Sequence, residues 1–110
     1  ALSLPYERVV GLLGETAEHV CDNAAVLGSV RLLKWARENN RDWNVITCHW
    51  AAFYGHLPVL QYLHENGCPW AELTCLYAAE LKHWDCLQYA VDNKAPLWEV
   101  FAEKFAEHLR

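Results

Sequence analysis

The sequence predicts an all-α domain: a helical-repeat solenoid of three helix-turn-helix units with a capping helix at each end. Two observations carry the prediction. The first is a pattern that returns every 27 residues; its middle copy reads Cys48, Ala51-Ala52, Gly55-His56-Leu57, Leu60-Gln61-Tyr62, Asn66-Gly67 and Trp70. Upstream it echoes as Cys21, Ala24-Ala25, Gly28, Leu33, Glu38-Asn39 and Trp43, and downstream as Thr74-Cys75, Ala78-Ala79, His83, Leu87-Gln88-Tyr89 and Asn93. Neighbouring copies share 8 and 10 of 27 positions, where unrelated segments of ordinary composition share about two. The second is the three- and four-residue spacing of apolar side chains within each copy, which is the helical period. A unit this short cannot bury its apolar face alone, so the copies must stack on one another.

The elements follow in order. Residues 1–16 are expected to cap the array with a helix near Pro5–Leu13, whose Val9, Val10, Leu12 and Leu13 cover its open end. The units span 17–43, 44–70 and 71–97. In the middle unit a first helix is expected over Thr47–Tyr54, with Cys48, Ala51 and Ala52 on one face, stopped by Gly55. A second is expected over Leu57–Glu65; Pro58 fits its first turn, where a missing N–H costs no helical bond. Asn66-Gly67 ends it, since both residues tolerate the left-handed cap conformation. The alanine pairs at 24–25, 51–52 and 78–79 are small enough to let successive first helices approach closely. The recurring Trp43 and Trp70 read as inter-unit packing, while Trp50 and Tyr77, also period-equivalent, either bury or extend an inner surface. Residues 98–110 are expected to close the array as an amphipathic helix, with Trp98, Phe101, Phe105 and Leu109 on one stripe.

Composition narrows the class. The chain of 110 residues makes one domain, and a 54% hydrophobic content supplies a core. The formal charge is -5, and the 9 Lys and Arg are scattered, whereas a phosphate-binding surface concentrates them. No nucleic-acid partner and no anionic membrane partner is expected. No apolar run approaches the roughly 18 to 20 residues that cross a bilayer, and Ala1–Tyr6 lacks the basic and apolar regions of a signal peptide. The missing initiator Met points to a fragment or a processed chain. Of the five cysteines, Cys21, Cys48 and Cys75 recur with the period. Stacked helices lie about 8 to 10 Å apart, too far for a disulfide between these rungs. Free buried thiols suit a reducing compartment, so an intracellular, cytoplasmic setting is expected.

The residues that carry the pattern resemble the ankyrin repeat. Ile46-Thr47-Cys48-His49 takes the place of that family's Thr-Pro-Leu-His; Ala51-Ala52 with Gly55-His56-Leu57 matches its Ala-Ala-x-x-Gly-His-Leu; Gly67 matches the glycine after its second helix. The likeness covers 17–98 and is strongest in the middle unit. Ankyrin units run about 33 residues, so these are about six short. The deficit falls where the family places a β-hairpin finger, between Trp70 and Thr74, which implies a short-loop variant with vestigial fingers. Lys82 and Lys94 replace Gly55 and Gly67 in the third unit, and Asp22 replaces His49 in the first. The resemblance also implies that His49 hydrogen-bonds an adjoining loop backbone.

The family binds other proteins on a concave surface of first helices and fingers. By resemblance the residues after each Ala-Ala pair face that groove: Val26 and Leu27, Phe53 and Tyr54, Glu80 and Leu81. Catalysis is not expected, because no phosphate loop, nucleophile elbow or paired-carboxylate motif appears. No cofactor and no metal are expected either: His64-x-x-x-Cys68 and His83-x-x-Cys86 each offer two ligands without a second pair, where zinc takes four. The expectation is a monomeric, non-enzymatic module that binds a partner protein. Two alternatives stand beside it: a structural spacer within a longer array, or a metal or small-ligand binder.

Overall fold

The computed structural model describes residues 19–110. The expected cap over 1–16, with its helix near Pro5–Leu13, lies outside the described residues. Seven α-helices follow: α1 Val20–Leu27, α2 Val30–Glu38, α3 Val45–Phe53, α4 Leu57–Glu65, α5 Glu72–Glu80, α6 Trp84–Asp92 and α7 Trp98–Lys104, with a terminal 3-10 turn at Ala106–His108. Among the described residues there is no strand, so the segment from Trp70 to Thr74 forms no finger. Nor is any helix there long and apolar enough to cross a membrane.

Consecutive odd-numbered helices pack on one another, α1 on α3 and α3 on α5, as do the even-numbered α2 on α4 and α4 on α6. The alanine pairs make the first contact possible: Ala24, Ala25, Ala51, Ala52 and Ala78 are fully buried and Ala79 nearly so. Without side chains beyond Cβ, these helix backbones approach at a distance that a larger residue would forbid. Leu33, Leu60 and Leu87, one per unit, fill the space between the two rows of helices and are wholly buried.

Two kinds of turn recur at the same spacing. After α1, α3 and α5 the chain reverses through left-handed residues, Gly28, Gly55 and Lys82. The next amide closes each helix end: Ser29 N donates to Ala24 O at 2.9 Å, His56 N to Ala51 O at 2.9 Å and His83 N to Ala78 O at 2.8 Å. After α2, α4 and α6 the left-handed residues are Asn40, Gly67 and Lys94. There the preceding Asn39, Asn66 and Asn93 side chains donate back to the carbonyls of Trp35, Tyr62 and Tyr89. Both sets satisfy carbonyls that every helix C-terminus leaves open.

The Gly-His pair works across units. His56 Nε2 donates to Val26 O and His83 Nε2 to Phe53 O, each at 3.0 Å, tying one unit to the end of the preceding first helix. The ring passes so close to the preceding turn that a Cβ on Gly28 would stand 2.7 Å from His56 Nδ1, and one on Gly55 2.5 Å from His83 Nδ1. Glycine is therefore required twice over, by a positive φ and by the neighbour's imidazole. One period after His83 stands Arg110, so Lys82 meets no histidine, and only the backbone angle still favours glycine there.

Two expected boundaries shift. Helix α3 begins at Val45 rather than Thr47, because Asn44 and Thr47 form a reciprocal capping box: Ile46 N donates to Asn44 Oδ1 at 2.9 Å and Asn44 N to Thr47 Oγ1 at 3.2 Å. The C-terminal helix stops at Lys104 rather than running to Leu109. The break at Phe105 lets the following tight turn lay His108 flat on Trp84, with ring centroids 4.0 Å apart and planes within 2°. Arg110 N then donates to Gln88 Oε1 at 2.7 Å. The helix α7 packs on α5 and α6 and buries Phe101.

Gly55→Ala is expected to lower the unfolding free energy by about 2 kcal/mol or more, from left-handed strain plus displacement of His83. Lys82→Gly should raise it by about 0.5 kcal/mol, since relief of strain exceeds the extra freedom of the unfolded chain. Urea unfolding midpoints of the two variants check both.

Candidate functional site

The six groove residues expected from the sequence sit at the C-terminal ends of α1, α3 and α5. Leu27, Tyr54 and Leu81 are exposed, at 65%, 46% and 42% of their surface, and Glu80 is exposed as well. Val26 and Phe53 are half-buried. Phe53 packs edge-on against Tyr77 of the next unit, with centroids 5.3 Å apart, and against Trp50 and Tyr54 of its own. It is thus part of the junction as well as part of the surface.

Beside these residues lies a pocket of about 310 Å³ lined by Ile46, His49, Trp50, Phe53 and Tyr77. The first four are spaced three, four and seven residues apart, which puts them on one stripe of α3; Tyr77 comes from α5 and closes one side. Trp50 and Tyr77, whose placement the sequence leaves open, are both half-buried in this wall. Ile46 stands at the rim, 47% exposed. Ile46 and His49 do not figure among the residues after the alanine pairs; an all-round apolar helix reads from sequence as buried on every side, so nothing in the sequence of α3 marks this stripe as open.

His49 departs from expectation. Its Nε2 is buried and has no hydrogen-bond partner, so it makes no bond to a loop backbone through that atom; the tie to the preceding unit is made by His56 and His83 instead. The reason lies at the junction. Between the first two units, Thr47 Oγ1 donates to Asp22 Oδ1 at 2.7 Å. One period later the same two positions hold Thr74 and His49, and Thr74 Oγ1 is likewise buried without a partner. A carboxylate presents its oxygen to the threonine; an imidazole at that position does not. Burial keeps the His49 ring below its ordinary pKa of 6.5, with the charge of Glu72 acting in the opposite direction.

The cysteines lie inside the protein. All five are free and buried, and burial pushes the Cys21 and Cys75 thiols up to about 11 and Cys86 to about 12. A contact that the 27-residue spacing does not reveal joins Cys48 to Cys68: Cys48 Sγ donates to Cys68 Sγ at 3.7 Å, and Cys68 Sγ to Asn44 O at 3.4 Å. The hydrogen bond to Cys68, together with burial, raises the Cys48 thiol further, which leaves it protonated at neutral pH. Among the described residues no group of three or more His, Cys, Asp and Glu is placed to hold a metal ion. What the surface offers is aromatic area, a few carboxylates and a fixed shape.

His49→Asp should restore the missing bond to Thr74 and raise stability by about 1 kcal/mol at pH 7. The wild-type ring titrates lower in the folded than in the unfolded state. Its contribution is therefore complete above about pH 6.5 and lost as the pH falls from there through the folded value. The gap in melting temperature between variant and wild type should widen from pH 7 to pH 5; a gap that stays constant would remove His49 as the source.

Comparison with family models, with curated proteins and with solved structures finds no match, so the site is interpreted from its own chemistry.

Proposed function

We propose that this chain is a short-loop, ankyrin-like helical-repeat solenoid that acts as a non-catalytic protein-interaction module. It binds a partner protein on the face formed by its first helices. The observation that carries the reading is the pocket between α3 and α5, flanked by exposed Tyr54 and Leu81 and by Leu27 one unit away. Large aromatic and aliphatic groups left in contact with water on one face favour association with another surface. A spacer segment would call for a polar face here, and Ile46, Trp50, Phe53, Tyr54 and Tyr77 argue against that alternative.

The mechanism is rigid display. Backbone turns and histidine ties hold the side chains before the partner arrives, so little ordering entropy opposes binding. The net charge of -5 favours a partner with a basic surface. Five free, buried thiols fit a reducing, intracellular setting.

The test uses a residue that lines the pocket without supporting the fold. Ile46→Arg places a long charged side chain across the rim at an exposed position and should leave the melting temperature within about 2 °C, a change of about 0.5 kcal/mol. Proteins captured by the wild-type chain should be lost with this variant and retained by Glu38→Ala, on the exposed side of α2. Equal capture by all three would rule the face out.

A further inference from the structure

Resting on that reading of the face, we infer that the pocket between α3 and α5 receives a trimethylated lysine side chain of the partner protein. Three rings, Trp50, Phe53 and Tyr77, meet there at steep mutual angles, with Trp50 and Phe53 inclined at 77° and Phe53 and Tyr77 at 83°. Rings so inclined present π faces in more than one direction, and a cation against such faces is attracted by their quadrupoles.

Elsewhere the chain fills this role with its own cations. Lys34 lies over Tyr62, Arg37 over Trp43 and Lys104 over Phe105, at 5.7, 4.2 and 5.5 Å from the ring centroids. Among the described residues no cation is so placed over Trp50, Phe53 or Tyr77. Neither α3 nor α5 carries a lysine or arginine, while α5 carries Glu72 at its start and Glu80 one turn beyond Tyr77, both exposed. Arg41 and Lys82, each five residues from a lining residue, are both exposed and lie outside the two helices. The pocket is thus aromatic, acid-flanked and without an internal counter-charge.

The lining also selects the form of the cation. Ile46, Trp50 and Phe53 offer no side-chain acceptor and His49 Nε2 is shut away from the surface, which leaves the Tyr77 hydroxyl and His49 Nδ1 as the acceptors among the lining side chains. A primary ammonium has three N–H groups and would lose part of their water against walls that are mostly apolar, which is costly. A trimethylammonium has none to satisfy. A cavity of 310 Å³ stands at the small end of ligand sites and suits such a head with part of its alkyl stem. Glu72, Glu80 and the overall negative charge oppose a phosphocholine head group, whose phosphate adjoins its cation. The exposed Tyr54 and Leu81 beside the pocket offer contacts to the residues that flank the modified side chain.

The probe is a glycine-flanked peptide with one N-trimethyllysine. It is titrated into the intact chain and followed by indole and aromatic proton shifts. Two control peptides carry the same side chain with nitrogen replaced by carbon, or with unmodified lysine; phosphatidylcholine vesicles form a fourth arm. The trimethylated peptide should bind at least tenfold tighter than the uncharged analogue and the unmodified peptide. Tyr77→Leu should reduce that preference below threefold; Trp50→Leu supplies the same readout if the first variant melts early. Equal affinity for charged and uncharged side chains would overturn the inference while leaving an apolar protein-binding face intact, as the capture experiment with Ile46→Arg reports separately. Binding of vesicles in preference to the peptide, or of none of the probes at millimolar concentration, would overturn it as well.

Discussion

The constraint on which the stacking rests is the imidazole that sits under a neighbour's glycine. His56 and His83 each fill the space that a Cβ on Gly28 or Gly55 would need, and each donates to a carbonyl at the end of the preceding first helix. The bond fixes where the next helix pair begins and so sets the separation of α1 from α3 and of α3 from α5. At that separation only alanine fits between the helices, which ties Ala24-Ala25, Ala51-Ala52 and Ala78-Ala79 to the same constraint. The outer faces of the first helices then have no helix to cover them, and the aromatic surface follows from that.

Much of this was legible in the sequence because it depends on short-range rules. Leu57–Glu65 is a helix over the expected residues, since Pro58 in the first turn and Asn66-Gly67 at the end mark both limits. The recurring tryptophans pack between units as their spacing suggests: Trp43 meets Tyr62, and one period later Trp70 meets Tyr89, at 6.3 and 6.2 Å. The start of α3 was misplaced because an Asn44–Thr47 capping box is weaker in sequence than the usual Ser or Thr with Glu. The end of α7 is not legible because its apolar stripe continues to Leu109, whereas the helix stops at Lys104 and the turn beyond it stacks His108 on Trp84.

The candidate surface was only partly legible, and for a different reason. The ankyrin resemblance picks out the residues after each alanine pair, of which Leu27, Tyr54, Glu80 and Leu81 are in water while Val26 and Phe53 are half-buried. It does not say which apolar residues of a helix that is apolar all round face outward, and packing of α3 against its neighbours is what leaves Ile46, His49 and Trp50 on the open stripe. The Cys48–Cys68 contact was hidden likewise, because it joins α3 to the chain just beyond α4, 20 residues on, rather than matching positions one period apart.

That stripe also distinguishes the junction of α3 and α5 from the one before it. At the junction of α1 and α3 the positions equivalent to Ile46, His49, Trp50 and Phe53 are His19, Asp22, Asn23 and Val26. Asp22 is engaged there, accepting from Thr47 and lying 3.9 Å from His19 Nδ1. A polar pair knits that junction, whereas in the next one His49 and Thr74 leave two buried polar atoms unpaired beside an aromatic hollow. The junction without the inter-unit hydrogen bond and the junction with the ring-lined cavity are one and the same, and His49 belongs to both features.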